Sequence, residues 1–435
     1  MQSTVRPRPP IERLARHIRS VPAPRIRRAL IVLYLVVAAA DASGKALAAN
    51  PRVNAIARGF VSGGAAAQLD EAVRPDGNFE IFRAASRHLA AGRDLYAEYP
   101  AEHTDRFKYS PTFALLFAPL AWMPWPLALF LWSALNALLL LGAIGRVLPG
   151  RSAALAGGLL VLEVLRGMQN AQSNALVAAL IVLAFDAMER RRLWRAALAV
   201  GLGTCVKIFP LAALTFAIPR RRAMHAGIAA AVVGVALVLL PLVLLAPSDL
   251  AAQYASWRGI EASDAQQRWF SVMALVHLTT GLASPNWPLQ LAGTLALLAP
   301  LALRRERWNE ARFRLLYLCS LLLYVVLFNH QAERASYLIA FTGATIWFVA
   351  EPRTRRRTML YGIAALTIPV MSTLIPGAWL RTPGMTTLRL ALPCLAIWLV
   401  IQRDLMRRPP RVEEPEIASD ELSVELDLDV ALQGR

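Results

Sequence analysis

The stretch FNHQAERASY, Phe328 to Tyr337, sets Asn329, His330, Gln331, Glu333 and Arg334 between two apolar runs. An amide, an imidazole and a carboxylate so close together can form part of the wall of a polar-ligand site, because each brings hydrogen-bonding groups. The competing reading is a helix cap, with Glu333 and Arg334 facing water and His330 satisfied locally. Upstream, Asp70, Glu71, Asp76, Glu80, Asp94, Glu98, Glu102 and Asp105 offer further general bases, although most loop carboxylates are simply solvated. Lys207 stands in an apolar segment close to Pro210. A lysine at membrane depth is costly unless paired or functional, so it either holds a phosphate or makes a structural ion pair. Arg258 and Arg268 adjoin Trp257 and Trp269. Such pairs serve as interfacial anchors, and arginine also suits a phosphate at the membrane surface. Asp41 and Lys45, one helical turn apart, read as a mutual ion pair.

Other chemistries find no support. There is no Gly-rich nucleotide loop or HExxH helix, and His17, His88, His103, His225, His277 and His330 are scattered, so the sequence requires no metal and no cofactor. Cys205, Cys319 and Cys394 lie inside apolar runs and read as packing residues. A soluble sugar-nucleotide or ATP donor has no evident site. A membrane enzyme working on the outer face needs an activated donor delivered in the lipid, and polyprenyl-phosphate sugars are such donors.

The elements that must position these groups are helices in a bilayer. The 435 residues are 56% hydrophobic and 17% charged, with a mean hydropathy of +0.44, too apolar for a soluble domain. Apolar runs of roughly 20 residues recur without β-barrel alternation, which predicts an all-α, polytopic helical bundle. The formal net charge of +18 does not imply nucleic acid. Its arginines fall in short clusters between apolar runs, as cytoplasmic loops do under the positive-inside bias.

That bias sets the topology. Arg13, Arg16, Arg19, Arg25, Arg27 and Arg28 hold a basic N-terminal segment, 1–26, in the cytoplasm ahead of a first span at 27–49. The arginine-rich flank favours an uncleaved helix over a signal peptide cut near Ala46-Leu47-Ala48. A first extracytoplasmic loop, 50–109, contains a helix over NFEIFRAASRHLAAG that ends at Gly92. A half-span at 111–123 precedes full spans at 126–147, 152–168 and 173–188. The segment 196–218 has arginine clusters at both ends and Lys207 and Pro210 near its middle, which predicts a re-entrant pair of half-helices. Spans at 223–246, 287–303, 313–328, 337–350, 358–377 and 387–402 complete ten crossings, and an acidic, disordered tail, 406–435, returns to the cytoplasm. The membrane domain is thus 27–405. Its outer face gathers the first loop, QNAQSN, the loop segment SWRGIEASDAQQRWF and NHQAER, which can line one cavity.

The runs NFEIFRAASRHLAAGRDLYAEYPAEHTDRFKYSPTFALLFAPLAWMP, QNAQSNALVAALIVLAF, VKIFP and FNHQAERASY resemble glycosyltransferase family 87, integral-membrane enzymes of the GT-C class, over roughly residues 75 to 350. The resemblance implies inverting transfer of a hexose, mannose first among them, from a polyprenyl-phosphate sugar to a glycolipid or cell-envelope glycan. It implies a site on the extracytoplasmic side, with membrane lipids as the surroundings, and the richness in Ala and Arg points to a bacterial inner membrane. A first-loop carboxylate would act as base and a cation would hold the lipid phosphate. The residues implied as substrate contacts are Asn78, Tyr109, Gln172, Asn174, Lys207, Arg258, Arg268, Asn329, His330 and Glu333. Many relatives carry an acid directly before the aromatic of the first motif, where this chain has Asn78 before Phe79. An amide is no base. Asp76 is favoured in its place, with Glu80 as the second candidate and Glu333 approaching from the opposite loop. A flippase or transporter for lipid-linked glycans and a catalytically silent member are the alternatives. A transporter commonly has internal repeats and polar residues near the midplane, and here no clear repeat is found and the polar residues gather at one face.

Overall fold

Leu30, Tyr34, Ala38 and Ala42 recur every four residues along the first long helix and are its buried stripe, while Val32, Leu33 and Val36 face outward. This helix, α1 (Ala23–Ala48), packs on α4 and α5 defined below, and the Tyr34 hydroxyl donates to Gly157 O at 3.3 Å. The computed structural model describes residues 21–50, 52–53, 77–103, 105–282, 285–374 and 382–408, and within them the secondary structure is helical. The N-terminal segment, Asp70, Glu71, Asp76 and the acidic tail beyond residue 408 lie outside the described residues.

The chain continues through α2 (Gly77–Ala90), α3 (Pro111–Leu116) with a one-turn extension (Ala118–Ala121), α4 (Trp125–Val147), α5 (Gly150–Leu159), α6 (Val161–Gln169), α7 (Asn174–Glu189) and α8 (Leu193–Val206). A 3-10 segment (Phe209–Ala217) leads to α9 (Ala223–Leu239), α10 (Pro247–Asp264), α11 (Val272–Thr280), α12 (Trp287–Leu303), α13 (Ala311–Leu327), α14 (Tyr337–Ala350), α15 (Arg355–Ala365) and α16 (Pro383–Met406). Among the described residues, four helices are long and apolar enough to cross a bilayer: Ala23–Ala48, Trp125–Val147, Ala223–Val243 and Gly384–Met406. The chain is a membrane protein, an all-α bundle.

Several expected spans differ in detail. The run at 152–168 is two helices, α5 and α6, meeting at Leu160. The run at 358–377 begins as α15 and passes through a π turn, Leu366–Val370, where Pro369 removes a donor from the helical ladder. The segment SWRGIEASD, expected as loop, lies on α10.

In lipid, helices associate through close packing rather than through hydrophobic gain, so small residues set their spacing. Gly343 of α14 is such a place. A Cβ there would lie 2.8 Å from Leu322 Cβ and 2.9 Å from Cys319 O, so the α13 backbone passes directly over it. Cys319, like Cys205 and Cys394, is free and buried, in keeping with a packing role.

Candidate functional site

The motif residues of the first loop act mainly as scaffolding that aims Tyr109. Gly92, at φ +66°, ends α2 in a conformation that residues with a Cβ rarely adopt. Asp94 Oδ1 accepts from Tyr96 N at 3.0 Å, Leu95 and Tyr96 are buried, and the Tyr96 hydroxyl donates to Tyr109 O at 2.7 Å. Ser110 is the N-cap of α3, accepting from Phe113 N at 3.1 Å, and Pro111 occupies the first turn, where its missing N–H costs nothing. Ser110 Oγ also donates to Cys205 O at 2.8 Å. That bond joins the first loop to the tip of the 193–217 hairpin, two residues before Lys207.

Lys207 is extended, at φ −146° and ψ 140°, because α8 stops there and Pro210 cannot continue it. Gly203 lets the chain fold back: a Cβ at that position would sit 3.0 Å from the Pro210 ring. The 3-10 segment then packs along α8 and α7. Glu189, at the end of α7, accepts from Arg220 Nη2 at 2.7 Å and from Arg314 Nε at 2.8 Å. Arg220, which follows the 3-10 segment, therefore returns to the end of the bundle where α8 begins.

Helix α10 closes the site from the other side. Gln253 Oε1 accepts from Leu95 N at 3.0 Å and Gln253 Nε2 donates to Arg93 O at 2.9 Å, while Trp257 Nε1 donates to Lys108 O at 3.3 Å. Together these elements enclose a cavity of about 330 Å³, within the range of small-ligand sites. Asn78, Tyr109, Lys207, Asn329, His330 and Glu333 all line it. So do Asp105, Lys108, Trp257, Glu261, Asp264, Gln290, Tyr324 and Gln331. An adjoining chamber of about 530 Å³, bordered by Glu98, Tyr99 and His103, shares Asp105, Arg106, Lys108 and Asp264 with the first.

Within the cavity the charges are distributed unevenly. Asp264 is the most engaged carboxylate, taking Lys108 Nζ at 3.3 Å, Gln267 Nε2 at 2.8 Å and Gln331 Nε2 at 3.3 Å. Burial, and then the charge of Asp264, raise the Glu261 carboxyl above its ordinary range. Glu333 lies in the field of Lys207 and Tyr109. Among the described residues no hydrogen bond or ion pair within 4 Å reaches its carboxylate. His330 Nδ1 stands 3.2 Å from Gln290 Nε2, which donates to it and leaves the proton of the neutral ring on Nε2. That Nε2 is buried without a partner. Burial lowers the His330 pKa, and the charge of Asp264 opposes the shift, so the neutral ring is favoured.

Other expected site residues are not among the described residues that line the cavity. Asp76 lies outside the described residues. The Glu80 carboxylate accepts from the Trp125 indole and lies 3.8 Å from Arg83, away from the cavity lining. Gln172 Oε1 accepts from Asn174 Nδ2 at 3.0 Å in the turn before α7, where Ala171 adopts φ +47°. This turn supports the site from behind: Asn170 O accepts from Asn78 Nδ2 at 3.1 Å and Ala171 O from the Trp132 indole at 2.9 Å. Arg258 is exposed and Arg268 half-buried, and neither lines the cavity, although their neighbours Trp257 and Trp269 do. Lys45 pairs with Asp41 at 3.0 Å, as expected of the two. In the sequence Asp105 is one acid among many, and nothing there singles out Lys108, Glu261 or Asp264. The i, i+3 spacing of Glu261 and Asp264 was the available signal, but it carries meaning only once α10 is known to be a helix.

The sequence model of glycosyltransferase family 87 matches residues 107–329, just over half of the chain. A polyprenol-phosphate-mannose-dependent alpha-(1-2)-phosphatidylinositol mannoside mannosyltransferase of Mycolicibacterium smegmatis is 28% identical over 171 residues, covering 33% of this chain and 38% of that relative. The match thus spans well under half of the relative's length. The crystal structure of ArnT from Cupriavidus metallidurans bound to undecaprenyl phosphate superposes with a TM-score of 0.42 at 15% identity, over 76% of this chain and 72% of the other. On the family match, the chain belongs to glycosyltransferase family 87.

Proposed function

We propose that the cavity transfers a hexose, with mannose the first candidate, from a polyprenyl-phosphate sugar to a glycolipid or envelope-glycan acceptor, on the extracytoplasmic side of a bacterial inner membrane. The observation that carries this reading is the convergence of Lys207, His330, Asn329, Tyr109 and Glu333 on one cavity in a family 87 chain. Lys207 and the His330 Nε2–H bind the donor phosphate. Asn329 and Tyr109 supply hydrogen bonds for sugar hydroxyls, and Trp257 and Trp269 supply apolar faces.

The acceptor approaches through the adjoining chamber. Its hydroxyl oxygen attacks the anomeric carbon, Glu333 takes the proton, and the carbon–oxygen bond to phosphate breaks on the opposite face, giving inversion. The electron pair leaves with the phosphate, whose added charge Lys207 offsets. Glu333 is preferred to Asp264, Glu261 and Asp105 because each of those already accepts a hydrogen bond. Asn78 occupies the place of the acid found in many relatives. Its amide orders the α6–α7 turn through Asn170.

Transfer of labelled sugar from a panel of polyprenyl-phosphate donors, with total lipid of the host as acceptor, tests the reading. Transfer from one donor supports it. Folded protein that moves no sugar from any donor, yet carries lipid-linked glycan across vesicles, replaces it with the flippase reading.

A further inference from the structure

Arg334 follows the cavity wall by one residue but turns into a separate buried network. Its Nη2 donates to Glu163 Oε1 of α6 at 2.6 Å and its Nε to Ser372 Oγ at 3.4 Å. Arg389 of α16 donates Nη1 to the same Ser372 Oγ at 2.6 Å and to Thr367 O at 3.0 Å. Arg166 of α6 donates to the Ser372 carbonyl. The three guanidinium groups and Glu163 all lie within electrostatic range of one another. Glu163 is 1% and Arg389 8% exposed.

This network does not balance. Arginine stays charged in proteins, so three cations share one carboxylate among the described residues, in a membrane protein where buried charge must be paired. Serine and backbone carbonyls supply dipoles but no compensating charge. Two polar atoms are also left over: Arg389 Nε and Glu163 Oε2 are buried and have no partner. An orphan donor and an orphan acceptor in one network, within an excess of positive charge, fit a ligand that carries both anionic oxygens and a hydroxyl. A singly protonated phosphomonoester, the headgroup of phosphatidic acid, offers both, and the planar arginine fork matches it.

The network lies near the end of the bundle that holds the cavity. Arg334 sits in the turn that forms the cavity wall, and Arg166 is three residues from Gln169, whose carbonyl receives Lys45 at 2.6 Å near the C-terminal end of α1. Arg389 is in the second turn of α16, whose first turn adjoins the segment beyond the described residues. A helix end of this kind meets the bilayer at the headgroup level. We propose that Arg166, Arg334 and Arg389 form a second anion site, distinct from the sugar-transfer cavity, that takes the phosphate group of a membrane lipid. The proposal stands whether or not the cavity transfers sugar.

The experiment is thermal unfolding of the full-length protein in a neutral maltoside detergent. It is run with dioctanoyl phosphatidic acid, with dioctanoylglycerol as the phosphate-free control, and with inorganic phosphate. Phosphatidic acid is expected to raise the wild-type midpoint by about 3 °C and dioctanoylglycerol to leave it unchanged. Arg166→Gln and Arg389→Gln lose most of the rise, the exposed Arg305→Gln keeps it, and Glu163→Gln enlarges it by removing the competing carboxylate. Arg166→Gln, at a half-buried position, keeps the test decisive if Arg389→Gln or Glu163→Gln does not fold. A rise with inorganic phosphate equal to that with phosphatidic acid assigns the site to free phosphate instead of lipid. An equal rise in Arg166→Gln and wild type, or no rise with either phosphate probe, overturns the proposal.

Discussion

Arg220 Nε and Nη2 close on the two carboxylate oxygens of Glu189 at 3.0 and 2.7 Å, so the chain that leaves α7 returns to the same end of the bundle 31 residues later. Arg314, 8% exposed, joins the same carboxylate. A helix of 14 residues followed by nine of 3-10 helix gives legs of about 21 and 18 Å, too short to cross a bilayer core of about 30 Å twice. The chain thus folds back as a hairpin with Lys207 at its tip, the backbone shape that a re-entrant segment between flanking arginine clusters requires.

The hairpin fixes a labelling pattern. The native cysteines are buried, so single exposed cysteines report cleanly. Ala90→Cys and Arg258→Cys are expected to react with an impermeant maleimide from the same side, and Arg221→Cys only from the other. Reaction of Arg221→Cys from the side of Ala90→Cys contradicts the hairpin.

Lys207 separates binding from folding. Lys207→Ala is expected to raise the KM for a polyprenyl-phosphate donor at least ~10-fold, about 1.4 kcal/mol, with little change in the unfolding midpoint. A purely structural lysine gives the reverse, a lowered midpoint with an unchanged KM.

Glu261 gives a pH signature. Its folded pKa is raised above the ordinary 4.5, first by burial and then by Asp264, so the folded chain holds this proton more tightly than the unfolded one. The stability it contributes is fully present below the unfolded value and is lost as pH rises through the folded value. Glu261→Gln is therefore expected to match wild type in unfolding midpoint at pH 4 and exceed it at pH 7. Equal midpoints at both pH values contradict the shift.

Gly343 tests the packing of α13 on α14. Gly343→Ala forces a methyl into 2.8 Å of Leu322 Cβ and 2.9 Å of Cys319 O, and is expected to cost about 2 kcal/mol as strain, seen as a lowered midpoint. Gly142→Ala, on α4 with open space around it, is the neutral control.

Sequence reading located the helices because apolar runs of bilayer length are a strong, local signal, and it found the break at Lys207 because Pro210 and two arginine clusters constrain that segment alone. It read α10 as loop because that helix is neither apolar nor amphipathic: its buried residues, Leu250, Gln253, Ile260 and Asp264, are sparse and half of them polar. Gln253 is buried to bond the Arg93–Leu95 turn, a tertiary contact with no trace in local sequence. The same limit applied to the site. Asn78, Tyr109, Lys207 and the NHQAER turn were legible as motif residues, and the cavity joins them. Gln172 and Asn174 belong to a motif as well, but their part is to shape the turn that receives Asn78. NHQAER itself divides between two tasks, since Asn329, His330, Gln331 and Glu333 face the cavity and Arg334 enters the buried arginine network.

In the proposed reaction Glu333 removes the acceptor proton in a cavity where Lys207 holds the donor phosphate. The most direct measurement is single-turnover transfer by wild type and Glu333→Gln from the same polyprenyl-phosphate donor, with donor affinity measured in parallel. In Glu333→Gln the transfer rate is expected to fall by about 10²- to 10⁴-fold with donor affinity nearly unchanged. A Glu333→Gln protein that transfers sugar at the wild-type rate contradicts it and returns the search for the base to Asp76 and the other carboxylates of the first loop.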